Sequence, residues 1–247
     1  METPENILLI VIAFLLAGFV KGVIGLGLPT ISLAILTTGF GLISAMGLMI
    51  IPSLITNLWQ TIQGGGLLKI TYRFWTMMLA VICGIWIGGS ILVTSDVIIL
   101  TGLLGILLCI YSIIGLTRFQ VSTPKSAEVM LSPIVGGANG VITGLTGTFV
   151  VPGVVYLQSL GLDRDTLIKS MGLLFTVSTL TLAIVLGHNN FFSKNLGIYS
   201  LGGVAPALLG MVIGKKVRTS LSERIFTKIF FSGLLILGAY ITARSLF

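Results

Sequence analysis

The sequence predicts an all-α, polytopic membrane protein made of two inverted-topology repeats. Each repeat is expected to hold a Gly-rich, broken or re-entrant helical hairpin and three spanning helices. Three observations predict this fold: apolar runs long enough to cross a bilayer, a glycine motif that occurs in both halves, and a one-sided distribution of Lys and Arg. The mean hydropathy of +1.12 and a charged fraction of only 9% exclude an ordinary soluble domain.

Eight apolar segments follow one another along the chain. They cover residues 7–38, 42–63, 72–93, 97–117, 129–161, 166–187, 196–214 and 224–246. The first and fifth are too long for one straight helix and are interrupted by glycines. In the first, residues 7–20 would reach about 21 Å as a helix and residues 28–38 about 16 Å. Because a hydrocarbon core measures about 30 Å, neither piece is expected to cross alone, and two half-helices meeting at a Gly-rich tip fit better. The first run lacks a following A-x-A-like site, so we expect it to belong to the mature fold rather than to a signal peptide.

The glycine motif reads G-x-x-x-G-x-x-G with a proline shortly after it, in residues 18–29 and again in residues 140–152. Paired Gly/Pro-interrupted segments in two halves point to a transporter's binding site. Half-helix N-termini present N–H groups and a positive dipole end, which suit an anion held between the two tips. The alternative is that these glycines serve only helix packing. The expected substrate-binding residues of the tips are Gly22, Gly25, Gly144, Thr146, Gly147 and Thr148.

The two halves resemble each other beyond this motif. Residues 47–56 resemble residues 172–181, and Arg118 matches Arg244. The pair Gly84 and Gly88 matches Gly210 and Gly214, and these four glycines are expected to pack helices. We therefore expect an N-terminal repeat over residues 1–120 and a C-terminal repeat over residues 121–247 within one membrane domain.

The positive charges decide between parallel and inverted repeats. If all eight segments crossed once, Lys and Arg would divide nearly evenly between the two faces. If each hairpin enters and leaves on one face, three further crossings invert the second repeat, and most of the 14 positive residues share a face. That face holds Lys69, Arg73, Arg118, Lys125, Arg164, Lys169, Lys215, Lys216, Arg218, Arg224 and Lys228. The other holds Lys194 and Arg244, and Lys21 lies inside the first hairpin. The positive-inside rule makes the face with more Lys and Arg cytoplasmic and puts both termini outside. A hairpin that crosses the membrane twice gives the same orientation, because it too enters and leaves on one face. The net charge of +7 then reflects membrane insertion rather than nucleic-acid binding.

Lys21 is the one charge inside a tip. A buried ammonium in a membrane is costly, which marks Lys21 as a candidate substrate-binding residue. The alternative is that its side chain snorkels to the nearest interface.

A polar stripe lies on the second segment. Ser53, Thr56, Asn57 and Gln60 share one helical face by their spacing, just after Pro52. Hydroxyls alone are typical of hydrogen-bonded contacts between membrane helices. Asn57 and Gln60 are instead expected to line a polar pathway and to bind substrate.

Acidic residues are confined to segment ends and loops. They are Glu2, Glu5, Asp96, Glu128, Asp163, Asp165 and Glu223. A carboxylate proton relay is therefore not expected, and an anionic substrate meets no repulsion. Cys83 and Cys109 are expected to be packed free thiols, and His188 an extracellular surface residue. No catalytic, metal or cofactor site is expected, so we do not expect an enzyme.

The motif at residues 18–29, its weaker copy at residues 140–152, and the stretch 52–60 (Pro-Ser-Leu-Ile-Thr-Asn-Leu-Trp-Gln) resemble the TauE/SafE family. The resemblance covers essentially the whole chain. It implies a secondary transporter, in the multi-pass bacterial inner membrane, that exports small sulfur-containing anions such as sulfite or organosulfonates. The sequence departs from the family pattern at Leu28, Thr146 and Thr148, where further glycines are common, and at Lys21. The implied partners are a small sulfur oxyanion and the lipid bilayer, with a homo-oligomer left open and no nucleic acid. An anion or small-solute channel and a non-transporting membrane scaffold are the alternatives.

Overall fold

The structure is a computed structural model that describes residues 3–62, 65–117, 122–218 and 222–246. Within these ranges the regular structure is entirely helical. The helices are α1 (Pro4–Ile24), α2 (Leu28–Phe40), α3 (Leu42–Ile62), α4 (Leu67–Thr94), α5 (Val97–Thr117), α6 (Lys125–Thr146), α7 (Gly153–Ser159), α8 (Arg164–His188), α9 (Lys194–Gly202), α10 (Val204–Val217) and α11 (Glu223–Leu246). Eight spans in the described chain are long and apolar enough to cross a membrane, with α9 and α10 together forming one (Lys194–Val217). The all-α, multi-pass prediction is confirmed. Arg118, one of the positive residues used to predict orientation, lies outside the described residues.

The first helix is longer than expected. α1 has 21 residues and reaches about 31 Å, so the expectation that residues 7–20 form a half-helix was wrong. Pro4 begins the helix, where its missing N–H costs nothing, and Gly25 ends it. Lys21 does not interrupt it, because lysine is a good helix former. α6, with 22 residues, is likewise long enough to span.

The helices form two compact units. Unit 1 comprises Met1–Pro52, Ser95–Phe119 and Phe191–Phe247, and unit 2 comprises Ser53–Thr94 and Gln120–Asn190. Each unit therefore takes helices from both halves of the sequence.

In unit 1, α1 and α10 pack side by side and in parallel. Gly18 lies against the backbone of Ala207, and Gly22 against the backbone of Met211 and Gly214, so the positions on both helices rise together. At these contacts a β-carbon on either glycine would collide with the neighbouring backbone. The small residues therefore allow the close approach that holds membrane helices together.

α5 and α11 also pack along their length in unit 1, but antiparallel. Gly102 lies next to Ser245, and Gly105 next to Thr242 and Gly238. The thiol of Cys109 is 3.8 Å from the carbonyl oxygen of Leu235.

The proline of α3 is bridged by a serine from α9. Pro52 has no N–H to donate to the carbonyl of Leu48, four residues earlier. The Ser200 hydroxyl, which is buried, instead donates to that carbonyl at 2.8 Å. The same hydroxyl accepts from the N–H of Ile51 at 3.1 Å. A side chain from α9 thus repairs the interrupted hydrogen-bond ladder of α3.

In unit 2, α4 and α6 repeat the parallel glycine contact. Gly140 lies against the backbone of Val81, and Gly144 against that of Ile85. Gly84 and Gly88 complete this contact, as Gly210 and Gly214 do in unit 1. The packing predicted for these four glycines is confirmed.

Candidate functional site

The first tip is the break between α1 and α2, and it falls at the predicted glycines. Gly25 caps α1 in the left-handed conformation (φ 80°), and its N–H donates to the carbonyl of Lys21 at 2.8 Å. Glycine adopts this conformation without the steric cost that a β-carbon brings. Gly27 precedes α2, and Pro29 lies in the first turn of that helix. α2 then runs back along α1, because Gly39 lies against Leu9.

Lys21 is enclosed by protein, with only 4% of its surface exposed. It is the only charged residue among the buried ones in the described part of the chain. Its neighbour Gly22 touches the backbone of Gly214 and Lys215, in the last turn of α10. That turn also carries Lys215 and Lys216 with exposed side chains. Lys21 therefore lies one turn before the tip and level with a basic helix end.

The second tip, between α6 and α7, has the same cap. Gly147 is left-handed (φ 74°), and its N–H donates to the carbonyl of Thr143 at 2.8 Å. The Thr143 hydroxyl donates to the carbonyl of Thr148 at 2.8 Å. The Thr146 hydroxyl donates to the carbonyl of Ile142 at 2.8 Å and accepts from the N–H of Thr148 at 3.3 Å. The two threonines predicted to bind substrate thus stabilise the tip itself in this conformation.

Asn139 is a residue of this tip that sequence reasoning missed. Its side-chain oxygen accepts from the N–H of Gly153, the first residue of α7, at 2.9 Å. Its Nδ2 is buried and has no hydrogen-bond partner among the described residues. A carboxamide alone in an apolar helix was the signal in the sequence. The N–H of Gly153, at the start of α7, was expected to be available to a ligand, but it is bonded to Asn139 instead. Pro152 is the N-cap residue of α7.

The hairpin of α6 and α7 returns to the level at which it starts. The N–H of Thr123, two residues before α6, donates to the carbonyl of Ser159 at 2.9 Å. The hydroxyls of these two residues lie 2.6 Å apart. Near this end of the hairpin, the hydroxyls of Tyr156 and Ser132 are joined by a hydrogen bond of 2.8 Å.

Gly22 and Gly144, which were also predicted to bind substrate, lie in helix–helix contacts. A β-carbon on Gly144 would lie 2.5 Å from the carbonyl oxygen of Ile85 and 2.7 Å from the backbone nitrogen of Gly89. Gly22 has the same relation to α10. Both glycines set helix spacing in this structure.

The polar stripe of α3 is buried, and two of its residues meet α8 in unit 2. Asn57 Nδ2 lies 3.5 Å from the Thr179 hydroxyl. Gln60 Nε2 donates to the carbonyl of Ile168 at 2.8 Å, whereas its Oε1 is buried without a partner among the described residues. Thr61, which the prediction did not include, lies 3.2 Å from the hydroxyl of Thr176. These are the interhelical hydrogen bonds expected of buried polar groups in a membrane. They leave one acceptor, the Oε1 of Gln60, without a partner among the described residues.

Other residues singled out in the sequence have simpler surroundings. Both cysteines are free thiols, but Cys83 is exposed, so the expectation that it is packed was wrong; Cys109 is half-buried. His188 ends α8, and its ring meets the edge of Trp86 with centroids 5.7 Å apart. Across the described residues, no three His, Cys, Asp or Glu side chains gather as a metal site would require.

A comparison with protein-family models decides the family. The model described as "Sulfite exporter TauE/SafE" matches residues 10–241, nearly the whole chain.

The chain belongs to the TauE/SafE family.

TauE/SafE membership makes this protein a membrane transporter with many apolar helices. The matched region contains both tips and the stripe of α3. A search of the curated proteins finds no match, and neither does a search of the solved structures.

Proposed function

We propose that this TauE/SafE protein is a secondary transporter that exports small sulfur-containing anions such as sulfite or organosulfonates. The observation that carries this proposal is the family match over residues 10–241. The burial of a single cation, Lys21, among the described residues agrees with an anionic cargo.

Lys21 is proposed to bind the anion. Taking an ammonium out of water is costly, and a charge-assisted hydrogen bond to an oxyanion offsets that cost. Lys215 and Lys216 lie at the same level of unit 1 and are exposed, so their field would concentrate anions near Lys21. This role rests on the charge and burial of Lys21.

The remaining predicted site residues are proposed to act within their own units, Gly22 and Gly25 in unit 1 and the others in unit 2. Asn57 and Gln60 would line a polar pathway, in which the buried, unpartnered Oε1 of Gln60 would accept from a water or a protonated substrate oxygen when the pathway opens. Gly25 and Gly147 are proposed to shape the tips. Gly22, Gly144, Thr146 and Thr148 would support them through helix packing and hydrogen bonds.

The two halves, residues 1–120 and 121–247, are proposed to be inverted repeats with hairpins that enter and leave on one face. α5 and α11 hold the same place in the two halves and pack antiparallel in unit 1. Copies related by an axis in the membrane plane run antiparallel, whereas copies related by an axis along the membrane normal run parallel. The same glycine contact in each unit, and the return of Ser159 to Thr123, support this arrangement.

The protein is proposed to lie in the bacterial inner membrane with the ends of α10 and α5 in the cytoplasm, as the positive-inside rule requires. The membrane potential, negative inside, then favours anion efflux. A cysteine in place of Lys216 should resist a membrane-impermeant thiol reagent in whole cells, whereas one in place of Lys194 should react. The opposite labelling pattern would reverse the orientation.

Transport is tested with radiolabelled sulfite in proteoliposomes held at a set membrane potential, with sulfate and thiosulfate as competitors. We expect saturable, potential-sensitive flux that shows counterflow. Flux without saturation or counterflow would indicate a channel. Absence of flux for every sulfur anion would overturn the proposed substrate class.

The Lys21→Met variant removes the charge while keeping an apolar side chain of similar length. Losing a hydrogen bond to a charged group costs about 1.5–3 kcal/mol, so KM for sulfite should rise about 10- to 150-fold. Lys21→Arg should retain part of the affinity, and the matched control Lys194→Gln should behave as wild type. An unchanged KM in Lys21→Met would remove Lys21 from the binding site.

A further inference from the structure

Unit 1 contains a cavity of about 540 Å³ that the transport proposal does not use. It lies where α2 ends and α5 begins, beside the end of α11. Its lining combines one cation, Arg244, with the hydroxyl-bearing residues Thr37, Thr101 and Tyr240 and with apolar side chains. None of the lining residues is acidic.

Within the described ranges, Arg244 makes a single hydrogen bond. One terminal nitrogen donates to the backbone carbonyl of Thr38 at 2.8 Å, near the end of α2. The guanidinium carries five N–H donors in all, and it forms no ion pair within the described chain. Asp96, which precedes the cavity residue Val97, instead accepts from the N–H of Ile98 at 2.8 Å. The guanidinium therefore keeps positive charge and most of its donors for another group.

The cavity wall is apolar and open to the outside of unit 1. Ile98 is 59% exposed and Leu246 is 70% exposed, and Tyr240 is exposed beside them. These residues belong to helices that are long and apolar enough to cross a membrane, so we expect lipid against their exposed surfaces. Arg244 and Tyr240 lie in the last turns of α11, where a span reaches the headgroup region. Arg244 thus lies at the end of α11, and the exposed Tyr240 and Ile236 follow one and two turns deeper on the same helix.

We propose that this cavity binds an anionic phospholipid, with its phosphate on Arg244 and its acyl chains along α5 and α11. Arginine recognises phosphate oxygens through paired N–H donors. The exposed apolar surface of α11 below Arg244, at Tyr240 and Ile236, favours a lipid over a soluble phosphate, which would leave that surface uncovered. The buried hydroxyl of Thr37 has no partner among the described residues and offers one more donor nearby.

Native mass spectrometry tests this site on the full-length protein extracted into mild detergent with phosphatidylglycerol or phosphatidylcholine. Wild-type protein should retain phosphatidylglycerol in preference to phosphatidylcholine. Arg244→Gln should weaken phosphatidylglycerol binding about 5- to 10-fold and abolish the preference, since one arginine near a membrane surface contributes on this scale. The matched control is Arg224→Gln, an exposed arginine at the other end of α11, which should bind as wild type.

Two further arms keep the test decisive. Ile98→Trp fills the mouth of the cavity without touching the charge, so it should also reduce phosphatidylglycerol retention. Glycerol phosphate, which has the headgroup chemistry without acyl chains, should not displace the lipid at equal concentration. Equal lipid retention by wild type and Arg244→Gln would overturn the site, and displacement by glycerol phosphate would overturn the lipid as its occupant.

Discussion

Two adjacent glycines of α6 have opposite surroundings, and they allow a test of how closely α4 and α6 are packed. A β-carbon on Gly136 would lie 2.5 Å from the carbonyl oxygen of Met77 and 3.1 Å from its carbonyl carbon. A β-carbon on Gly137, one residue further on, meets nothing within 4 Å. Gly136→Ala and Gly137→Ala therefore make the same chemical change on the same helix, with and without a collision.

The difference between the two variants isolates the collision. Replacing glycine with alanine inside a helix gains about 0.5–1 kcal/mol in either variant, and this gain cancels. What remains is overpacking, which costs about 1–3 kcal/mol. α6 would have to part from α4 by roughly 0.5–1 Å, and a gap of that size forfeits a quarter to a half of each affected dispersion contact. Gly137→Ala should thus be neutral or stabilising, and Gly136→Ala should be less stable than it by about 1–3 kcal/mol.

Thermal unfolding of the two variants in the same detergent measures this difference. At about 2–4 °C per kcal/mol for a chain of this size, Gly136→Ala should unfold about 2–12 °C below Gly137→Ala. Insertion and expression are checked first, so that unfolding is compared between correctly inserted proteins. Equal unfolding temperatures, or a more stable Gly136→Ala, would refute the close backbone contact between α4 and α6.

Two further predictions concern hydrogen bonds. Ser200→Ala should lower the free energy of unfolding by about 1–3 kcal/mol, because it leaves the carbonyl of Leu48 without a donor. The loss should be smaller in a Pro52→Ala background, where the backbone N–H of residue 52 can donate to that carbonyl. An equal loss of unfolding temperature in both backgrounds would contradict the bridge. Hydrogen bonds from the hydroxyl and the N–H of Thr166 hold the pKa of Asp163 below its usual value. A carboxyl whose pKa is lowered by folding stabilises the protein above its unfolded pKa, about 3.9, and this stabilisation is lost as the pH falls through the lower folded pKa. Stability measured between about pH 5 and pH 3 should therefore fall more steeply in wild type than in Asp163→Asn, and parallel curves would show that the cap does not titrate.

The spans could be predicted because a bilayer imposes both length and hydropathy on any helix that crosses it. The breaks could be predicted because a left-handed cap favours glycine, as Gly25 and Gly147 show. The length of α1 could not, since its ends are set by Pro4 and Gly25 and not by the apolar run.

The contacts that shape the candidate site were harder to predict, because they join residues far apart in sequence. Ser200 bridges α3 from 149 residues beyond Ile51. Asn139 caps α7 across a chain reversal, 14 residues before Gly153. Whether Lys21 snorkels or is enclosed depends on how α10 packs beside α1, which no local pattern records.

Each unit contains helices from both halves of the sequence, and this has a consequence for the order in which the protein is synthesised and folds. The glycine face of α1 finds its partner on α10, and that of α6 finds its partner on α4. Neither half of the sequence carries both sides of either contact. When the ribosome has finished the first half, α1 and α4 have therefore been made before α10 and α6, the helices that they pack against. Two fragments divided between α5 and α6 should be degraded when expressed singly and survive when co-expressed.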